Sequence, residues 1–243
     1  MYLGIVDADS IIYRVAYQTE DEDIDVAMDT LRGYVFENIY KPTRCEEYIF
    51  CFSGKKNFRD SIAVTKVYKG NREDKVKPKH LQELKDYAIE IYNGVVVPPY
   101  EADDLVITVA DRYIGSFVLI GIDKDAKQLA GKHYNFGKNE HFVVSPKEAQ
   151  YNLAMQMLTG DQVDNIQGVA GIGSVKAAKI LDESHKPPML KVYELYKERG
   201  LDNFDEHLQL LRMKKDILFD MESHFFSFDD SLITQELEEF DFD

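Results

Sequence analysis

Phe117-Val-Leu-Ile-Gly-Ile-Asp-Lys-Asp125 is the most strand-like run in the chain, and its apolar part ends in Asp123 and Asp125. A short apolar run of this kind reads as a buried strand, here with carboxylates at its C-terminal end. The same pattern recurs in Tyr2-Leu-Gly-Ile-Val6, which ends in Asp7-Ala-Asp9-Ser10 and leads into a helix over about 10–17, with Asp9 as its N-cap. Glu47-Tyr-Ile-Phe-Cys-Phe52 is a second strand, ending at Ser53-Gly54. Val95-Val-Val97 is a third, followed by Pro98-Pro99-Tyr100 and then by Glu101-Ala-Asp103-Asp104 at the head of an apolar helix. Tyr134–Phe136 and His141–Val144 read as a terminal hairpin. Helices ending near Tyr40 and spanning about 78–92 and 146–158 fill the intervals, and helices over about 188–199 and 203–219 follow. The basic stretch after the second strand, with Phe58-Arg59 and Tyr68–Arg72, reads as a mobile segment outside the sheet. Strand–helix alternation of this kind gives an α/β fold with a mainly parallel sheet flanked by helices. In open α/β sheets ligands gather outside the carboxyl ends of the strands, so the acids placed there are site candidates.

Composition sets the outer limits. The 243 residues, 44% hydrophobic and 12% aromatic, suffice for one large domain or a domain with a subdomain and exclude global disorder. No apolar run reaches the ~18 residues of a membrane span, and no basic leader precedes an apolar stretch, so a cytoplasmic protein without membrane contact is expected. Cys45 and Cys51 fall on one expected strand, too far apart for a disulfide, and read as buried thiols. The six histidines are scattered without ligand-like spacing, which argues against zinc. The formal charge of −15 is unevenly spread. From Asp220 to Asp243 there are nine acids and no Lys or Arg, whereas Gly54 to Lys85 carries ten bases against four acids. That segregation leaves room for a basic surface on an acidic protein.

Gly160-Asp-Gln-Val-Asp-Asn-Ile-Gln-Gly-Val-Ala-Gly-Ile-Gly-Ser-Val-Lys-Ala177 joins two devices. Asp161 and Asp164 stand three apart, so a helical turn would put both carboxylates on one face. Gly168, Gly171 and Gly173 then precede a helix-like run from Ser174 to Leu181. Glycines allow close backbone approach, the first helical N–H groups are free donors, and Lys176 adds a full charge: together they make a phosphate grip.

Asp7, Glu101, Asp103, Asp104, Asp123, Asp125, Asp161 and Asp164 thus come from four places, three of them at expected strand ends. Such carboxylates can converge only around cations, and oxygen donors suit Mg²⁺ or Mn²⁺. Two ions ~3.5–4 Å apart would serve phosphodiester hydrolysis.

Ile5-Val-Asp7, Tyr68-Lys-Gly-Asn-Arg72, Glu101-Ala-Asp-Asp104, Asp123-Lys-Asp125 and Gly160–Asn165 with Gly168–Gly173 together resemble the 5′-nuclease family. That family comprises bacteriophage 5′→3′ exonucleases, flap endonucleases and the 5′-nuclease domain of bacterial DNA polymerase I. The pieces fall in the family order across residues 1 to about 185, and the small size is similar to the phage branch. The resemblance implies a PIN-like core over 1–165, with an arch at about 54–90. It also implies a helix–three-turn–helix with C-terminal helices over 166–220, followed by an acidic tail at 221–243. It further implies that Lys69 and Arg72 hold the scissile phosphate and that the hairpin at Gly168–Gly173 takes up K⁺ through its carbonyls. One departure stands out: after the second strand the family usually has a metal-site Asp, where this chain has Ser53.

The expectation is a monomeric, metal-dependent 5′→3′ exonuclease and flap endonuclease acting on DNA with 5′ ends, flaps or nicks, in phage replication or recombination. An RNA-primer-removing 5′ nuclease acting on RNA–DNA hybrids, and a catalytically silent DNA-binding module, are the alternatives. The tail, with Phe225, Phe226, Phe228, Phe240 and Phe242 among its acids, is read either as a disordered solubilising extension, as a recognition motif for a replication protein, or as a self-competitor against non-specific DNA binding.

Overall fold

A computed structural model describes residues 2–72 and 76–228 of the chain, the side chain of Arg72 excepted. The N-terminal half runs β1 (Tyr2–Asp7), α1 (Asp9–Gln18), α2 (Ile24–Val35), a π turn into α3 (Lys41–Thr43), β2 (Glu47–Phe52), α4 (Leu81–Ile91), β3 (Val95–Val96), α5 (Ala102–Arg112) and β4 (Ser116–Ile120). Next come β5 (Gly131–Asn135), β6 (Glu140–Val144), α6 (Pro146–Thr159), β7 (Gly160–Asp161), β8 (Ile166–Gln167), α7 (Ser174–Asp182), α8 (Pro188–Glu198) and α9 (Phe204–Leu211).

Six strands form one sheet in the order β3-β2-β1-β4-β5-β6, parallel except for the β5–β6 hairpin. Alternation along the strands feeds two cores, as a period of two requires. Val6, Tyr48, Phe50, Val118 and Ile120 face α1, α2 and α4, whereas Leu3, Ile5, Ile49, Cys51 and Leu119 face α5. The order reverses between β1 and β4, so the carboxyl ends of these neighbours open a crevice at the topological switch point. A third core, built from Leu153, Met157, Leu181, Val192, Tyr196 and Leu210, holds α6 to α9 together. Both cysteines are free and buried.

Four expectations change here. Asp161 and Asp164 lie in a two-stranded hairpin with a turn over 162–165, not in a helical turn; Asp161 Oδ1 instead accepts the N–H groups of Val163 (2.8 Å) and Asp164 (3.3 Å). The helix expected over about 203–219 ends at Leu211. Beyond it the chain runs extended along α5, where Arg112 donates to the carbonyls of Ile217 (3.3 Å) and Phe219 (3.1 Å) while Met213, Ile217 and Met221 join the core under α5. Those side-chain donors satisfy carbonyls that a helix would otherwise have satisfied internally.

The basic stretch after β2, expected as a mobile segment outside the sheet, is partly packed: Arg59 and Tyr68 are buried, and Glu206 of α9 accepts the N–H groups of Val64 and Thr65 (2.7 Å each). Finally, the start of the expected acidic tail belongs to the body. Tyr48 and Phe226 exchange main-chain hydrogen bonds (2.7 and 2.8 Å), and Phe228 packs its ring 4.6 Å from that of Tyr40. Residues 229–243, with Phe240 and Phe242, lie outside the described residues.

Candidate active site

The crevice at the switch point is a cavity of ≈ 820 Å³ lined by Asp7, Asp9, Glu101, Asp103 and Asp123, with Lys69 and Lys85 among its walls. Each carboxylate arrives for a local reason. Asp7 ends β1; Glu101 caps α5, whose first turn carries Asp103; Asp123 follows β4 after Gly121. Burial, then repulsion from Asp9, Asp123 and Glu101, pushes the Asp7 carboxyl up to about 8. Burial, then Asp104, likewise pushes Asp103 well above the carboxylate range.

Asp125, Asp161 and Asp164 form an adjoining group. Burial, then Asp123, Asp161 and Asp164, pushes Asp125 up to about 7. Asp123 therefore acts on both Asp7 and Asp125 and joins the two groups. Ammonium groups bridge the carboxylates: Lys69 pairs with Glu101 and lies 3.9 Å from Asp164, and Lys124 lies 2.9 Å from Asp161. Burial raises Glu101 and lowers Lys69, but their mutual attraction outweighs it, holding Glu101 below and Lys69 above their ordinary values.

Lys69 is placed by its backbone. It takes a left-handed φ of 53°, and its N–H donates to the Asp164 carbonyl (3.0 Å). The Arg72 side chain lies outside the described residues.

Asp104 differs from its neighbours. It is 0% exposed and turned inward, where Arg59 grips it with two nitrogens (2.7 and 2.8 Å) and the Lys214 N–H donates to it (2.8 Å). Its carboxylate is committed to Arg59, and we reassign it from ligand to anchor. Ser53, the departure from the family pattern, receives the Ala102 N–H on Oγ (3.0 Å) and donates its own N–H to Asp9 Oδ2 (3.0 Å). Lys85 closes this wall on Asp9 Oδ1 (2.7 Å) and on the Ser53 carbonyl (2.9 Å). Asp9 is thus not the N-cap of α1, which is Ala8.

The glycines divide by role. Gly168 packs on the backbone of Thr159 and Gly160, so its missing side chain is a steric need. Gly171, at φ +73°, and Gly173, the N-cap of α7, have open space beside them, and Lys176 Nζ donates to the Gly171 carbonyl (3.3 Å).

Sequence reasoning missed Arg59, Tyr68 and Gln156. The Tyr68 hydroxyl lies 2.8 Å from Glu101 Oε2 and 3.0 Å from Asp164 Oδ2. Gln156 of α6 donates to Asp125, its amide oriented by Gln128 (2.6 Å). Phe58-Arg59 and Tyr68 were visible as an arginine and aromatics in the basic stretch, but nothing local told an inward from an outward side chain.

Among the described residues, no three His, Cys, Asp or Glu side chains are gathered tightly enough to hold an ion as they stand. The chemistry of the donors nonetheless fits hard divalent cations. They are all carboxylates, and several are held far above their ordinary pKa by burial and then by one another, which a bound cation would reverse.

The fold resembles that of the T5 5′-exonuclease with bound zinc (TM-score 0.63, 18% identity, covering 87% of this chain and 89% of that one). It also resembles human GEN1 in complex with Holliday junction DNA (TM-score 0.56, 13% identity, 99% of this chain and 68% of that one). In sequence, the chain is 29% identical over 209 residues to DNA polymerase I of Caldicellulosiruptor bescii, covering 75% of this chain and 24% of the polymerase. It is 26% identical over 137 residues to the flap endonuclease Xni of Shewanella baltica, covering 51% of this chain and 52% of that one. The chain thus spans about a quarter of that polymerase and about half of Xni. Among the described residues no helix is long and apolar enough to cross a membrane. Residues 2–162 match the model of the 5′-3′ exonuclease N-terminal, resolvase-like domain, and the chain belongs to that family.

Proposed function

We propose that this chain is a divalent-metal-dependent 5′→3′ exonuclease with flap endonuclease activity on DNA, hydrolysing phosphodiesters to 5′-phosphorylated products. The observation that carries the reading is the meeting of Asp7, Glu101, Asp103 and Asp123 with Lys69 in one cavity at the switch point, Asp125, Asp161 and Asp164 adjoining. The T5 flap endonuclease, seen with DNA and metal ions, offers a precedent for such a site.

Asp7, Glu101, Asp103 and Asp123 would hold one Mg²⁺ or Mn²⁺, and Asp125, Asp161 and Asp164 a second. When bound, such ions supply an activated water and charge stabilisation for a leaving oxygen. Lys69, released from Glu101, is the residue that neutralises the scissile phosphate, and Arg72 is assigned the same task. Gly171, Gly173 and the N-terminus of α7 grip duplex phosphates with Lys176, as unpaired helical N–H groups favour. A K⁺ ion at this hairpin would have to displace Lys176 from the Gly171 carbonyl.

We further propose a core over 1–165 with its arch at about 54–90, followed by a duplex-gripping helical unit. The chain acts as a monomer in the cytoplasm, that of the host if phage-encoded, in DNA replication or recombination. The test is digestion of end-labelled flap, nicked and blunt duplexes with and without Mg²⁺, alongside 5′-RNA–DNA chimeras. Cleavage that needs Mg²⁺ and starts from labelled 5′ ends supports the reading. Metal-independent binding with no cleavage would instead make the chain a DNA-binding module.

A further inference from the structure

Arg59 stands in the irregular stretch between β2 and α4, yet its side chain is 2% exposed and bonds both to the end of α9 and to the head of α5. Nε donates to the Leu210 carbonyl at the end of α9 (2.9 Å). One terminal nitrogen donates to Asp104 Oδ1 (2.8 Å); the other donates to Asp104 Oδ2 (2.7 Å) and to Glu101 Oε2 (3.1 Å). Asp104 is itself fixed, by the N–H groups of Lys214 (2.8 Å) and Glu101 (3.3 Å). The rings of Phe58 (4.6 Å) and Tyr68 (6.0 Å) flank the guanidinium.

A guanidinium presents its N–H groups in a rigid planar fork. Once Asp104 takes one edge of that fork, the direction of the remaining donor toward Glu101 follows. The Tyr68 hydroxyl approaches the same Glu101 oxygen (2.8 Å), while Lys69 pairs with the other, Oε1. The two carboxylate oxygens are therefore unequal: Oε2 faces donors that are buried and fixed, and Oε1 faces a cation at the cavity.

We infer that Arg59 is a positioning residue: anchored on Asp104, it pins Glu101 by Oε2 and so presents Oε1 to the cavity as a cation ligand. The inference rests on the reading of this site as a divalent-cation centre. It explains why a full buried charge pair is retained beside the site when apolar side chains of similar volume often serve stability as well. It also gives the Phe58–Arg59 segment a task at the site rather than only at the protein surface.

The experiment uses Mn²⁺ alone as probe, its binding to the full chain followed by electron paramagnetic resonance of the free ion. The variants are R59K, E101Q and R59K/E101Q, each checked for folding by thermal unfolding in EDTA. Lysine keeps the charge and loses the fork. R59K is expected to weaken Mn²⁺ binding by ~10-fold or more, the size typical of lost outer-shell partners. In the E101Q background the same substitution should have little further effect, because Arg59 acts through Glu101. Unchanged Mn²⁺ affinity in folded R59K, or equal losses with and without Glu101, would overturn the inference and leave Arg59 a tether. If R59K does not fold, R59M/D104L replaces the pair by apolar groups and enters the same cycle with E101Q. Absence of Mn²⁺ binding by the unaltered protein would instead overturn the proposed function, and this inference with it.

Discussion

Gly168 lies backbone against backbone on Gly160: a Cβ on Gly168 would stand 2.4 Å from the Gly160 nitrogen and 2.2 Å from the Thr159 carbonyl carbon. The β7–β8 hairpin that carries Asp161 closes on this contact. Gly168→Ala should therefore force the hairpin open, lowering stability by ~1–3 kcal/mol as overpacking does and weakening Mn²⁺ binding. Gly171→Val meets no atom within 4 Å, but its φ of +73° strains a branched residue. That variant should keep Mn²⁺ binding and lose duplex affinity. Thermal unfolding, Mn²⁺ titration and duplex binding in EDTA distinguish the two, and identical behaviour would refute the division of roles.

The double replacement Asp161→Asn, Asp164→Asn should separate chemistry from binding within a few residues. Two negative charges leave a cluster that, on the proposed function, would face phosphates, so Mg²⁺-dependent cleavage should collapse while DNA affinity in EDTA holds or rises. Raising Mn²⁺ should recover part of the activity. Full turnover in Mg²⁺ would remove both residues from the site.

Lys69 and Lys176 differ in surroundings, and their variants should differ in kind. Lys69 faces Glu101 inside the cavity, whereas Lys176 reaches the Gly171 carbonyl on an exposed hairpin. Lys69→Ala should slow single-turnover cleavage by ~10²–10³, the usual cost of a lost transition-state donor, with duplex affinity little changed. Lys176→Ala should weaken duplex binding and flatten its salt dependence by about one unit of slope. Intact single-turnover cleavage in Lys69→Ala would refute the assignment.

Asp7, at about 8, and Asp125, at about 7, ionise far above the 3.8 of an unfolded aspartate. Between pH 3.8 and those values the folded chain holds protons that the unfolded chain has released. Stability in EDTA should consequently fall as pH rises through that window. Cation binding needs the ionised forms, so Mn²⁺ should expel protons and bind more tightly up to a pH of about 8, then level off. Titration calorimetry in buffers of different ionisation heat should detect net proton release near pH ~6 and little near pH ~9.

The C-terminal segment should behave as two parts. Removing 229–243 should leave folding and turnover intact, whereas removing 221–243 strips Phe226 from Tyr48 and Tyr92 and Phe228 from Tyr40. Each half-buried ring is worth up to ~1.5–3 kcal/mol, so the longer deletion should markedly lower the melting temperature. Equal melting temperatures for the two deletions would show that the docking is without weight. Lost turnover in the shorter deletion would move the end of the working domain beyond 228.

The sequence by itself determined the α/β class, the parallel core and the placing of Asp7, Glu101, Asp103 and Asp123, because short apolar runs and the acids ending them are local signals. It also marked Gly160 to Ala177 as the meeting point of carboxylates and a glycine hairpin. It could not separate Asp104 from Asp103, adjacent acids on one helical turn, since only the approach of Arg59 from 45 residues away turns one inward. Nor could it tell that Gly168 serves packing while Gly171 faces open space, or that Phe226 would pair with Tyr48. Which donor meets which carboxylate depends on chain segments far apart in sequence, and those contacts exist only once the cores have closed around them.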